Sequence, residues 1–313
     1  MSGPGVVRDG TARERRHVAH AASSGTVTAT ARTATEVEFV KLSPTQNMTV
    51  LVTSRHGSGD YRAIAAQLLP AGHVHAEQVG FVEAPVSAGA HGRLHMAGDE
   101  FCGNASMALA ALQAAGRGLV AGRRTQVVLE VSGAAELVTC RVERLADGYD
   151  CELTAPRPSG VVPYPVPGTP AGGAALVRYP DAAHLVVECD LPDAALPDLV
   201  LRDRAEELAV RLGAAEDVSV AGVMLYDPSR GELAPLVYVP ALDSLVWERS
   251  CGSGTASVGA YLAARQGGEV RASVRQPGGV MRVRASQGPR GLTELTISGQ
   301  VRVIAEGRAY VHV

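Results

Sequence analysis

Lysine is almost absent from this chain. Its 313 residues carry 29 basic side chains, and all but Lys41 are arginines. A pyridoxal-phosphate enzyme holds its cofactor through a lysine Schiff base, and a P-loop needs the lysine of G-x-x-x-x-G-K-[ST]. Lys41 lies in Glu38-Phe39-Val40-Lys41-Leu42 with no glycine-rich loop before it, so neither chemistry is expected. The net charge of −3 gives no electrostatic footprint for nucleic acid. No apolar run reaches the roughly 18–20 residues of a membrane span, and the N-terminus lacks the apolar stretch of a signal peptide. The five cysteines, Cys102, Cys140, Cys151, Cys189 and Cys251, include no C-x-x-C pair. An odd number of dispersed cysteines fits poorly with a disulfide framework, so a reducing cytoplasmic setting is expected.

What is present is a soluble globular composition, 46% hydrophobic and 19% charged, with length for about two domains. Residues 1–34 are polar, small and without hydrophobic periodicity, the composition of a disordered leader. From residue 35 the pattern turns to short alternating strands. A helix is expected over Tyr61–Leu69, and a second, built of small residues, over 103–115. Pro156 to Pro170 holds six prolines, which block helix and central strand, so it reads as a linker. A second strand-rich block follows, with helices at about 199–212 and 254–265 and separate strands at 293–298 and 301–305. Pro277-Gly278-Gly279 reads as a hairpin turn.

The two blocks look like versions of one unit. Phe101-Cys102-Gly103-Asn104 opens one small-residue helix and Ser250-Cys251-Gly252-Ser253-Gly254 opens the other, the cysteines 149 positions apart. At a helix start the first-turn N–H groups are unpaired and the dipole places about half a positive charge there. A cysteine at such a point is expected to be biased toward thiolate, and free N–H groups bind a carboxylate. Two such units facing each other would set two thiols about one small anionic ligand. That suits stereoinversion at a carbon acid, one thiolate removing a proton from one face while the opposite thiol delivers one to the other. Cys140, Cys151 and Cys189 lie in strand-like runs and read as core.

Cys102-Gly103-Asn104, Cys251-Gly252-Ser253-Gly254, Trp247-Glu248-Arg249 and Pro277-Gly278-Gly279 resemble the motifs of the diaminopimelate epimerase fold family, the cofactor-independent two-cysteine racemases. Ser43–Thr49, Glu77–Glu83, Glu100–Ala105 and Cys251–Ser257 resemble its histidine racemase branch, which serves staphylopine-type metallophore pathways. The resemblance spans about residues 36–313 and implies an α/β (α+β) fold of two pseudo-symmetric lobes. Each lobe is a curved, mostly antiparallel sheet around a central helix. Residues 35–157 would form the first lobe, joined by a terminal strand at 303–313, and residues 158–302 the second.

The resemblance also implies roles. Cys102 and Cys251 would be the acid/base pair. Backbone N–H groups of Gly103, Asn104, Gly252, Ser253 and Gly254 would hold the α-carboxylate, and Glu248 the α-ammonium. Asn47 matches an early asparagine near the site, and Arg249 is either a ligand contact or half of a structural ion pair. Glu77 could accept a hydrogen bond from an imidazole N–H. The segment Tyr179-Pro180-Asp181-Ala182-Ala183-His184 lacks the asparagine with which diaminopimelate epimerases hold a second amino-acid end, and so points away from that substrate.

The expected activity is therefore interconversion of L- and D-histidine without cofactor or metal, by a homodimer. The alternatives are another amino-acid or diaminopimelate epimerase of the same fold, and a non-catalytic amino-acid-binding protein. His73-Val74-His75 sets two imidazoles on one strand face but lacks further metal ligands. Gly252-Ser253-Gly254 fails the dinucleotide spacing because position 257 is serine.

Overall fold

In the computed structural model the described residues are 34–192, 197–289 and 291–313. The leader expected at 1–34 lies, but for its last residue, outside them. The first half runs β1 (Thr35–Pro44), β2 (Thr49–Val52), α1 (Tyr61–Leu68), β3 (Gln78–Glu83), β4 (Gly92–Met96), α2 (Gly103–Gly116), β5 (Arg124–Val131), β6 (Val138–Arg144) and β7 (Tyr149–Thr154). The second runs β8 (Gly160–Pro163), β9 (Ala174–Arg178), β10 (Ala182–Glu188), α3 (Leu199–Glu216), β11 (Val220–Asp227), β12 (Glu232–Val239), β13 (Ser244–Trp247), α4 (Gly252–Gln266), β14 (Glu269–Gln276), β15 (Gly279–Gly288) and β16 (Gly291–Val311).

The pairing repeats. β1–β2 is antiparallel, β2–β3 parallel across α1, β3–β4 antiparallel, β4–β5 parallel across α2, and β5–β6–β7 antiparallel. β9–β10, β10–β11 across α3, β11–β12, β12–β14 across α4, and β14–β15–β16 follow the same order of senses. The duplication legible in the two cysteine segments is thus a duplication of the whole unit.

β16 joins the halves. Its start pairs with β15, its middle with β7, and Val301–Val311 with β1. The separate strands expected at 293–298 and 301–305 are therefore one. Gly299-Gln300 does not interrupt it, because Gly299 pairs with Cys151 and Gln300 with Asp150 on β7. The return to β1 closes a ring of eight strands, β1 through β7 and β16, around α2, which packs against all eight. A helix that is apolar on every side belongs inside such an enclosure, and every residue from Gly103 to Ala111 is buried. Its alanines and glycines let the strands approach closely. α4 is enclosed likewise, with Gly254 to Ala263 all buried, against β8–β11 and β14–β16.

Two expectations are corrected. The proline-rich stretch is not wholly linker: Gly160–Pro163 forms β8, at the outer end of the sheet path, where proline is tolerated. β9, Ala-Ala-Leu-Val-Arg after two glycines, adds a strand that the hydrophobic pattern does not announce, because so short an apolar run carries no alternation.

The starts of α2 and α4 meet over one side chain of β16. A Cβ built on Gly103 would lie 2.9 Å from Ile297 Cδ1 and 3.6 Å from Gly252 Cα, and one built on Gly252 would lie 3.1 Å from the same Ile297 atom. A side chain at either position would have to displace Ile297, so glycine allows this close approach of the two helix starts. Ile297 is 1% exposed. Ile297→Ala should cost about 2–5 kcal/mol of unfolding free energy, measured by urea denaturation.

Candidate active site

Cys102 and Cys251 are the N-caps of α2 and α4, with nearly identical backbone angles of φ −125°, ψ 111° and φ −124°, ψ 114°. The Ala105 N–H donates to Cys102 Sγ at 3.2 Å, and the Gly254 N–H to Cys251 Sγ at the same distance. The fourth residue on, Ser106 or Thr255, donates its hydroxyl to the cysteine carbonyl at 2.7 or 2.6 Å. A cysteine sulfur thus takes the capping place that a serine or aspartate oxygen usually holds.

The halves are tied beside these caps. Asn47 and Asn104, both from the first half, donate their side-chain amides to the Ser250 carbonyl, each at 2.8 Å. Gln276 accepts from the Cys251 N–H at 2.7 Å and donates to Thr255 Oγ1 at 2.9 Å. Gly278 donates to the Arg249 carbonyl at 2.6 Å, and a Cβ there would sit 2.4 Å from the Thr45 carbonyl oxygen. The late glycine turn is thereby packed against the loop that positions Asn47.

A cavity of about 60 Å³ lies between the helix starts, lined by both cysteines with Gly103, Asn104, Gly252, Ser253, Glu77, Glu100 and Glu248. Its apolar wall includes Ala65, Leu69, Val239 and Leu242. Three of the expected site residues do not line it. The Gly254 N–H is occupied by capping Cys251. Asn47 is fully buried behind the cavity as a brace. The Arg249 guanidinium donates outward to Gln46 Oε1 at 2.7 Å and to the Pro277 carbonyl at 3.4 Å, so it bridges two loops and is not brought to the cavity.

Glu77 lines the cavity with both oxygens engaged. Oε2 accepts from the Arg249 N–H at 3.1 Å and the Asn47 amide at 3.2 Å, and Oε1 from the Met48 N–H at 3.4 Å. Burial raises its pKa, and the backbone donors counter part of that.

The thiols differ from the expected bias toward thiolate. Burial raises the pKa of both cysteines well above the usual thiol range, outweighing the cap N–H bonds that favour thiolate. Cys102 donates to Gln78 Oε1, whereas Cys251 Sγ lies 3.5 Å from Ser253 Oγ and close enough to Glu248 for that carboxyl to raise the thiol further. The two sites are alike in backbone but unlike in neighbour, a neutral amide beside Cys102 and a carboxyl beside Cys251. Glu248 is pushed up to about 8, first by burial and then by the charge of Glu77. Glu100, absent from the residues that the sequence singles out, is pushed up to about 7 by burial. In the chain it is marked only as the first residue of Glu100–Ala105, a segment of the resemblance, with no role attached to it.

Behind α4, Ser257 Oγ lies 2.9 Å from the Tyr179 hydroxyl and 2.8 Å from His184 Nδ1. Burial lowers the His184 pKa to about 4, so the ring is neutral. The segment lacking the asparagine therefore braces the helix that carries Cys251. Lys41 donates to the Val74 carbonyl at 3.0 Å. Among the described residues no group of three or more His, Cys, Asp and Glu is placed to hold a metal ion, and no helix is long and apolar enough to cross a membrane.

Fold and site together define an isomerase of the racemase and epimerase class. The fold is similar to that of a hydroxyproline epimerase from Agrobacterium vitis, with TM-score 0.62 at 14% identity over 89% of this chain and 93% of that one. It is also similar to a phenazine biosynthesis protein of the PhzF family from Bacillus anthracis, with TM-score 0.60 at 13% identity over 88% and 99%. The family model for the histidine racemase CntK N-terminal domain matches residues 36–310, and the chain belongs to that family. Histidine racemase from Staphylococcus aureus is 34% identical over 281 residues, 88% of this chain and 98% of that protein. The histidine racemase of Fusobacterium nucleatum is 26% identical over 279 residues, 88% and 97%.

The two raised carboxyls have a consequence for stability. A folded pKa above the unfolded value near 4.5 stabilises fully at acid pH and loses that contribution as pH rises through about 7 to 8. Glu248→Gln should therefore raise the melting temperature at pH 8.5 and have little effect at pH 4.5. Thermal unfolding of both proteins at the two pH values reads this directly.

Proposed function

We propose that the protein interconverts L- and D-histidine without a cofactor, with Cys102 and Cys251 as the two acid/base groups. The observation that carries this reading is the pair of cysteine-capped helix starts opening on one cavity, in a chain of the histidine racemase family. First-turn N–H groups of Gly103, Asn104, Gly252 and Ser253 would hold the α-carboxylate. Glu248 would take the α-ammonium, and Asn47 and Gln276 keep the helix starts in register.

Chemistry needs one thiolate and one thiol. A thiol in a dry site loses its proton reluctantly, but the thiolate so formed is a strong base toward the α-carbon. One thiol would first lose its proton to solvent, before the site closes, and the bound ammonium would hold Glu248 as the carboxylate, while the other cysteine keeps its proton. The Cα proton would pass to the thiolate on one face as the opposite thiol delivers its own proton to the other. Negative charge developing on the substrate carboxylate in the transition state would be met by the helix-start N–H groups. We take residues 35–157 with 303–313 as one lobe and 158–302 as the other, closing on the ligand to exclude water. Homodimerisation and service in metallophore assembly rest on the resemblance alone, and a cytoplasmic setting on the dispersed cysteines.

Two outcomes test the reading. L-histidine incubated in deuterium oxide should gain deuterium at Cα and yield D-histidine with no added pyridoxal phosphate. Cys102→Ser and Cys251→Ser should each lower racemisation by at least about 10²–10⁴-fold, the range for loss of a general acid or base. Chiral chromatography reads the product, and a wild-type level of racemisation in either variant would reject the two-thiol assignment.

A further inference from the structure

We propose that Glu100 recognises the substrate side chain, its carboxylate accepting a hydrogen bond from a side-chain N–H donor, which in histidine is an imidazole N–H. The inference deepens the racemase reading and rests on it. Glu100 Oε2 is enclosed and has no hydrogen-bond partner among the described residues, and the nearby backbone N–H groups of Gly98 and Glu100 favour its charged form without offsetting burial. A buried acceptor left unmet costs about 1–3 kcal/mol, and more for a charged one, and so marks a place for a ligand donor.

The position fits a side chain better than a main chain. A Cβ built on Gly98 would lie 2.7 Å from Glu100 Oε2 and 2.8 Å from Val239 Cγ1, so the carboxylate lies at the seam, against a residue of the second half. Ala65, Leu69, Val239 and Leu242 supply apolar wall for ring carbons. The cavity lining contains Glu77, Glu100 and Glu248 and no lysine, arginine or histidine. The helix starts suit the substrate carboxylate and Glu248 its ammonium. Glu77, to which the family resemblance gives the imidazole contact, has its oxygens met by Met48, Asn47 and Arg249. Glu100 is the carboxyl left for a second positive or N–H-bearing group. An amino acid with an aliphatic side chain would leave Oε2 unmet and be rejected on that ground.

The test is steady-state racemisation of L-histidine and of its two ring-N-methylated forms by wild type, Glu100→Gln and Glu100→Asp, with melting temperatures as the check on folding. Glu100→Gln should raise KM for L-histidine about ten- to hundredfold, as expected for loss of one charged hydrogen bond. Glu100→Asp should recover part of it, and the wild-type discrimination between the methylated forms should collapse in Glu100→Gln. A folded Glu100→Gln enzyme with wild-type KM and unchanged ranking would overturn the assignment while leaving the racemase reading intact. If Glu100→Gln does not fold, an Asp variant with wild-type KM and ranking overturns it equally. Absence of α-proton exchange from histidine in the wild type would overturn the racemase reading itself, and this assignment with it.

Discussion

The structure depends on the meeting of two helix N-termini. Two positive helix ends repel, and unpaired N–H groups buried without partners are costly. The protein holds them together by ties that do not use the N–H groups facing the cavity. The Ser250 carbonyl receives Asn47 and Asn104 from the opposite half, Gln276 holds the Cys251 backbone, and Ile297 fills the space beneath both glycines. Each is a contact between residues well separated in the chain. The enclosing sheets then keep both helices from retreating, the first by closing fully around α2 and the second by wrapping α4.

The same enclosure sets the electrostatics. Position at a helix start favours thiolate, and burial favours thiol; here burial wins for both cysteines. It also raises Glu77, Glu100 and Glu248, which share one cavity. A site with three buried carboxyls and two helix ends is complementary to a molecule with one anionic group and more than one cationic or N–H-bearing group. The unliganded protein carries that imbalance as a cost, and a matching ligand would relieve it.

Much of this is legible in the chain. The repeated Cys-Gly at helix starts identifies the two cysteines among five because both copies carry a small residue next to the cap and a hydroxyl four residues on. Most strands announce themselves by alternation. β9 does not, since a buried run of five has no alternating face, and β8 hides among prolines. Arg249 enters as a possible ligand contact because Trp247-Glu248-Arg249 resembles a family segment, yet β13 ends at Trp247 and the Arg249 guanidinium faces the outer loops. Glu100 gains no role from the sequence for the converse reason: nothing local shows that its side chain is buried beside Gly98 with an unmet oxygen.

The sequence by itself determined the duplication, the two capping cysteines and the late glycine turn and, by offering a single lysine, set the expectation of a route to racemisation without the common amine chemistry. These are local properties of composition and spacing. Only the tertiary structure decided that this lysine is held on the Val74 carbonyl, which glutamate keeps an unmet oxygen, which asparagine braces and which lines, and that the thiols are protonated at rest. Those outcomes turn on burial and on partners 33 to 203 residues away in the chain, and neither can be summed from neighbours in sequence.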